Sequence, residues 1–301
     1  MTDLKDRPAE PTEAVDPQLE RKANRKESWI GFFHAAPAYV YLTFFFTLPL
    51  LIVFVFSFAS RSRTGKPLLE GWNLDSWAKL LDPLVREIAI RSLWLALLNT
   101  VICLLIGYPF AYWIATRARR STRTFLLVLV LIPFWSNFLV RTYAWRMLLG
   151  NDGWITQLGE WTGLWDRILF TQPAVFIGLL YGYLPFVVLP LYAAIERIDW
   201  SLVEAARDLY ASGASAFRRV TLPLSKPGII AGAVLVFIPS VGAYVTPDIL
   251  GGAKTTLLGN YIVTQFGGAR NWPFGASLSA AILILMLIAT LIYFRTGGRT
   301  L

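Results

Sequence analysis

The sequence predicts an all-α integral membrane protein with six transmembrane helices and both termini in the cytoplasm. Three observations predict it. The 301-residue chain is 55% hydrophobic and only 16% charged, against about 25% charged in an average soluble domain. Its apolar residues fall into six long blocks, each close to the roughly 20 residues that carry a helix across a bilayer. Its lysines and arginines gather on alternate loops, the asymmetry that orients membrane helices. Length alone would allow about two soluble domains; the blocks replace them with one membrane domain, residues 29–301, behind a polar tail, residues 1–28. A disulfide scaffold is excluded because Cys103 is the one cysteine. The net charge of +9 reads as basic cytoplasmic loops rather than a nucleic-acid surface.

The elements follow in order. The tail mixes Lys5, Arg7, Arg21, Lys22, Arg25 and Lys26 with acids and reads as flexible. It is not read as a signal peptide, since the first apolar run starts late and is too long. Residues 29–36 are aromatic and amphipathic. They suit a helix on the membrane surface or the wet end of the first span. Spans are expected at 37–58, 93–115, 125–149, 173–195, 227–245 and 275–294, the third and fourth interrupted by prolines or glycines. Helices are required because a lipid-facing backbone must bond internally. Barrel strands would alternate polar and apolar residues, and these runs do not.

Six spans place both termini on one side, and basic residues choose which. The terminal side carries 17 lysines and arginines and the opposite side nine. Arg117, Arg119, Arg120 and Arg123 weigh most because their loop is short. The outward loops carry Trp72, Trp77, Trp154, Trp161 and Trp165, with Trp94 at the start of the second span. Tryptophan favours the headgroup level, so short surface helices are expected there.

The loop between the fourth and fifth spans, residues 196–226, is the longest on the cytoplasmic side. Asp199 or Ser201 suits a helix cap, with Glu204 placed for a capping box. Val203, Ala206, Leu209 and Tyr210 recur at helical spacing, Ser212-Gly213 marks a turn, and a second helix is expected over residues 214–220 before Pro223. Periodicity alone fits either a docking hairpin for a soluble partner or a self-packed surface hairpin. Glu204-Ala205-Ala206, followed by Val220-Thr221-Leu222-Pro223 at the family distance, resembles the EAA loop of ABC-importer permeases.

Further segments narrow the resemblance. They are Leu81-Asp82-Pro83-Leu84, Ile106-Gly107-Tyr108-Pro109, Ile132-Pro133-Phe134-Trp135, Arg141-Thr142-Tyr143-Ala144-Trp145, Leu250-Gly251-Gly252, Gly259-Asn260 and Asn271-Trp272-Pro273-Phe274-Gly275. Over roughly residues 35–295 the chain is similar to spermidine/putrescine permease subunits. The resemblance implies the type I ABC importer permease fold in the bacterial inner membrane. It implies a second permease subunit, a dimer of ATPase subunits that use the ATP and magnesium, an extracytoplasmic substrate-binding protein, and polyamine cargo. It also implies that Glu204, Ala205, Ala206, Arg207, Asp208, Tyr210, Gly213, Phe217, Arg218 and Pro223 form the ATPase-coupling loop. The family pattern has glycine where this chain has Tyr210. Either the turn then falls at Gly213 or the docking surface differs.

Individual residues carry further expectations. Glu204 and Asp208 lie one turn apart and repel slightly. A pair between Glu204 and Arg218 or Arg219 is expected to hold the hairpin. Gly178 and Gly182 in the fourth span, with Gly228, Gly232 and Gly242 in the fifth, suit close helix packing and a moving gate. Arg141 and Arg146 are the charges inside spans. Arg146 lies near an end and reaches water. Arg141 either lines the path or ties helices together through backbone carbonyls.

The spans hold no Asp or Glu, so a polycation would need aromatic faces. Trp135, Tyr143, Tyr181, Tyr183 and Tyr244, with Arg141 and Asp248 just beyond the fifth span, are the path candidates. The missing acids leave an opine-like, amino-acid-like or other small organic cargo as the second reading. A secondary transporter would need inverted repeats and intramembrane carboxylates. No phosphate-binding loop and no metal cluster around His34, the one histidine, is present, so neither an enzyme nor a bound metal is expected in this chain.

Overall fold

The structure, a computed structural model, describes residues 32, 34–62, 65, 67–69, 71–252 and 255–297. The tail expected over residues 1–28 lies outside the described residues, as do Trp29, Ile30, Gly31 and Phe33. The chain divides into two units, Met1–Ile52 and Val53–Leu301. The first unit holds all but the last turn of helix α1, His34–Phe56, whose 23 residues reach about 35 Å at 1.5 Å per residue. Thr43–Thr47 within it are π-helical. This is the turn that Pro49, lacking an N–H, deprives of a donor to the Phe45 carbonyl.

The second unit opens with a small antiparallel pair, β1 (Ser60–Arg61) and β2 (Pro67–Leu68), with Ser60 opposite Leu68 and Arg61 opposite Pro67. Then come α2 (Asp75–Ala78) and α3 (Pro83–Thr116). The second span was expected at residues 93–115, and α3 starts a further ten residues earlier. Pro83 pre-sets the first helical turn, and the polar extension carries an i,i+4 ion pair, Glu87–Arg91 at 2.5 Å.

The interruption expected in the third span is present, two residues past Pro133. The span is two helices, α4 (Arg120–Trp135) and α5 (Phe138–Leu148), meeting at 92°. Helix α6 (Trp154–Thr162) realises one of the short helices expected in the tryptophan-rich loops. Helix α7 (Gln172–Glu196) realises the fourth span and runs unbroken through Pro185 and Pro190. The interruption expected there is absent because the close approach of α10, described below, holds the proline turns in place. Helices α8 (Ser201–Asp208) and α9 (Gly213–Leu224) occupy the long loop. Helix α10 (Lys226–Val241) leaves α9 at 62° and stops short of the expected residue 245. Two helices in the loop before the last span, α11 (Val245–Leu250) and α12 (Leu258–Phe266), have no counterpart in the periodicity reading. Helix α13 (Trp272–Gly297) is the sixth span. Four of the described helices are long and apolar enough to cross a membrane, or six spans if each bent pair counts as one.

Helices α3, α7 and α10 pack on one another and enclose the main core: Cys103, Ala111, Val187, Val188, Leu191, Ile195 and Val236. Small residues let them approach. A Cβ on Gly228 would stand 2.5 Å from the Ala194 Cβ and 2.8 Å from the Pro190 carbonyl oxygen, and one on Gly107 would stand 2.8 Å from the Val187 side chain. Gly232 lies against Val187. The expected glycine seam is thus Gly228 and Gly232 of α10 against α7. Gly178 instead faces Thr246 and Leu250 of α11, and Gly182 and Gly242 face open space. Asn99 and Ser240, both fully buried, join α3 to α10 by an Asn99 Nδ2 to Ser240 Oγ bond of 3.0 Å. Apolar surroundings offer these groups no water, so the bond specifies how the two helices meet.

Candidate functional site

The loop between α7 and α10 is built from its caps upward. Asp199 Oδ1 accepts from the Ser201 N–H at 3.0 Å. Bonding with the Ser201 hydroxyl, then with that N–H, holds the Asp199 carboxyl below its ordinary range. The expected Ser201–Glu204 capping box does not form; α8 starts on Asp199's bond to Ser201 instead. Ser212 Oγ accepts from the Ser215 N–H at 3.3 Å and caps α9. That helix runs from Gly213 through Leu224, longer than the expected 214–220, with a π-helical turn at Phe217–Thr221.

Between the two helices the backbone closes a Schellman turn. The Tyr210 N–H donates to the Arg207 carbonyl at 2.9 Å and the Ala211 N–H to the Ala206 carbonyl at 3.1 Å. Tyr210 takes φ 60°, the left-handed conformation usually given to glycine. The turn therefore stays at Tyr210. Gly213 opens the next helix and supplies no positive φ.

An aromatic cluster mounts the loop on α3. Phe217 meets Tyr108 edge-on at 5.8 Å and Tyr112 at 5.7 Å, and Tyr112 meets Trp200 at 6.3 Å. The Tyr108 hydroxyl and Ser225 Oγ share a 2.9 Å bond at the α9–α10 junction. Glu204, Ala205, Arg207, Asp208, Arg218 and Pro223 are exposed, and Ala206 and Phe217 are half-buried. The expected ion pair of Glu204 with Arg218 or Arg219 is not formed. Among the described residues, the ion pairs are Glu87–Arg91 and Arg123–Glu196. The hairpin needs no such pair, because Phe217, buried Val203 and buried Ala216 already fix it.

The break in the third span is chemically complete. Asn137 Oδ1 accepts from the Leu139 N–H at 2.8 Å and caps α5. The Pro133 carbonyl, freed where α4 ends, accepts from Ser136 Oγ at 2.8 Å and from the Arg141 guanidinium. Arg141 also lies over the rings of Phe138, Tyr181 and Phe134, at 5.6, 5.9 and 6.0 Å. The carbonyl bond joins α5 to the end of α4 across the break. Arg146 lies over the Phe170 ring at 5.6 Å.

A second break follows α10. Residues 242–244 leave the helix, and Asn260 Nδ2 donates to the Tyr244 carbonyl at 3.1 Å. Gly259 lies so close that an added Cβ would sit 2.3 Å from the Ala243 carbonyl oxygen. The Tyr183 hydroxyl donates to the Pro239 carbonyl at 3.3 Å. Phe138, Tyr183, Pro239, Gly242, Tyr244 and Thr246 line a cavity of about 340 Å³ between the two breaks.

Of the path candidates, the structure brings Tyr183 and Tyr244 together in this cavity. Tyr181 stacks edge-on with Trp145 at 5.3 Å, beneath Arg141. Trp135, Tyr143 and Asp248 are exposed and do not join it. Sequence reasoning missed Phe138, the Asn99–Ser240 bond, and the Tyr108, Tyr112 and Trp200 mount. Tyr108 and Tyr112 stand at i,i+4 on a single helix face, and that spacing was the available signal.

The chain matches the family described as "binding-protein-dependent transport system inner membrane component" over residues 107–296. It is 43% identical over 260 residues to the spermidine/putrescine transport system permease protein PotB of Escherichia coli (strain K12), covering 85% of this chain and 94% of that one. The PotB of Salmonella typhimurium (strain SL1344) is also 43% identical, with 85% and 90% covered. The fold is that of a solved bacterial alginate ABC transporter, in complex with an alginate pentasaccharide-bound periplasmic protein. There the TM-score is 0.68 at 18% identity, over 91% of this chain and 97% of that one. With the family match over most of the chain and these relatives over 85% of it, the chain belongs to the binding-protein-dependent transport system inner membrane components.

Proposed function

We propose that this chain is the permease subunit of an ABC importer for polyamines, forming half of a translocation path with a second permease. The observation that carries the cargo is the 43% identity to PotB over 85% of the chain. Three partner classes go with the reading: a second permease, a pair of ATP-hydrolysing subunits, and a soluble binding protein on the outer face. The solved alginate transporter, in complex with a periplasmic protein, supports the last.

In this reading residues 196–226 receive the ATPase. Closure of the ATPase pair moves α8 and α9 as one piece. Phe217 passes the motion to Tyr108 and Tyr112 of α3, and Ser225 passes it to α10. The cavity between the two breaks then opens and closes along the path. Its rings suit a polyamine's ammonium groups through cation–π contact. The reading with an opine-like or amino-acid-like cargo came from the absence of acids in the spans, with Arg141 the residue that would tolerate such a cargo better. That guanidinium is already engaged by a carbonyl and three rings, which supports the polyamine over it. A membrane orientation with both termini cytoplasmic completes the proposal, supported by the 17 to nine split of basic residues.

The test is uptake of labelled putrescine and spermidine by the reconstituted importer, with opines and amino acids as competitors. Uptake of at least one amine, competed by the other and not by opines, is expected. If neither amine competes for the transported cargo, the polyamine reading is rejected.

A further inference from the structure

Tyr210 occupies a position that glycine would fill at less cost. At φ 60° its Cβ crowds the neighbouring carbonyl. The turn's hydrogen bonds are made by backbone alone, so the turn asks for no side chain. The side chain gains nothing within the chain either: Tyr210 is 99% exposed and its neighbour Leu209 82%. Backbone strain of this kind persists where another requirement holds it. An unpacked aromatic ring at the tip of a loop held firmly by Phe217 on Tyr108 and Tyr112 is pre-organised to be received by a partner.

The surroundings describe that partner. Glu204, Arg207, Asp208, Arg218 and Arg219 are exposed around the turn and make no ion pair among the described residues. Ser212, Ala214, Ser215, Arg218 and Arg219 line a recess of about 500 Å³. An exposed aromatic ring at a turn whose two flanking helices carry unpaired charges has the composition of a protein–protein hot spot. A lipid surface is the rival occupant: Arg207, Arg218 and Arg219 would suit an anionic leaflet and Glu204 and Asp208 would not, and the spin-label arm of the test below separates the two.

We propose that Tyr210 is a specificity-determining anchor whose ring seats in an apolar pocket of the ATP-hydrolysing subunit, with carboxylates of that subunit meeting Arg218 and Arg219. This rests on the coupling role proposed above for residues 196–226. A permease with glycine here presents no ring, so the tyrosine distinguishes which ATPase fits.

The importer lacking its ATP-hydrolysing subunits is placed in lipid nanodiscs and titrated with the purified ATPase, using the unchanged chain, Tyr210→Phe and Tyr210→Gly. Tyr210→Phe is expected to bind within about twofold of the unchanged chain, because it keeps the ring. Tyr210→Gly is expected to bind at least about tenfold more weakly, while its thermal midpoint stays the same or rises. Unchanged affinity for Tyr210→Gly overturns the proposal, and so does a Tyr210→Phe loss as large as the glycine's. If the unchanged chain recruits no ATPase, the coupling role itself fails, which is a different result. A spin label on Tyr210→Cys without ATPase should be open to a water-soluble nickel chelate. If oxygen reaches it better than nickel, the ring belongs to lipid and the proposal falls.

Discussion

Arg141 shows how a full charge is carried inside an apolar span. Its guanidinium donates to the Pro133 carbonyl, which the end of α4 frees, and lies over three rings. A cation at a helix C-terminus also meets the negative end of the helix dipole. Removing it leaves that carbonyl with Ser136 alone. Arg141→Leu is expected to lower stability by about 2 kcal/mol, the worth of a hydrogen bond to a charged group, read as a drop in thermal midpoint in detergent. The KM for cargo should stay unchanged, since the charge is spent on the protein; a KM shift without a stability loss would put Arg141 back on the path. At the other side of the break, Asn137→Ala removes the α5 cap and should cost about 1 kcal/mol by the same measurement.

The elements record where sequence reading succeeds and where it stops. Long apolar runs fix α3, α7 and α13 because hydropathy integrates over many residues. The position of the break at residues 136–137, in a span already expected to be interrupted, and the whole break at 242–244 escape it because they depend on single polar groups, Asn137 and Asn260, finding backbone partners. Pro133 lies beside a break and Pro185 and Pro190 do not break α7, so proline alone does not locate a bend. The motif in the loop was legible as local sequence, whereas its mount was not, because Tyr108 and Tyr112 lie about a hundred residues from Phe217. Phe217→Ala removes two edge-on contacts of about 1 kcal/mol each. It should lower cargo uptake per ATP hydrolysed while the ATPase still co-purifies; equal coupling ratios would show that the loop moves α10 without α3. Gly228→Val drives a side chain into Ala194 and the Pro190 carbonyl. Backbone cannot yield there as a flexible side chain can, so a loss of about 1–3 kcal/mol is expected.

At the scale of the whole molecule, orientation decides whether the loop of α8 and α9 faces ATP at all. The charges argue for it twice. The cytoplasmic leaflet and the translocation machinery retain Lys and Arg most strongly in short loops near span ends, and residues 117–123 place four arginines in such a loop. One of them, Arg123, also pairs with Glu196 at 2.9 Å and donates to the Ala115 carbonyl at 2.8 Å. The ends of α3 and α7 and the start of α4 therefore share one level, the same level from which α8 begins. A single sided measurement tests the assignment. In a Cys103→Ala background, cysteines are placed at the exposed positions Ser212 on the loop and Glu160 on α6. A membrane-impermeant maleimide added to spheroplasts is expected to label Glu160→Cys directly and Ser212→Cys only after lysis. The opposite pattern would turn the molecule over and remove residues 196–226 from reach of any cytoplasmic ATPase. Labelling of both positions before lysis would mean that α7, the one long apolar helix between them, does not cross the membrane.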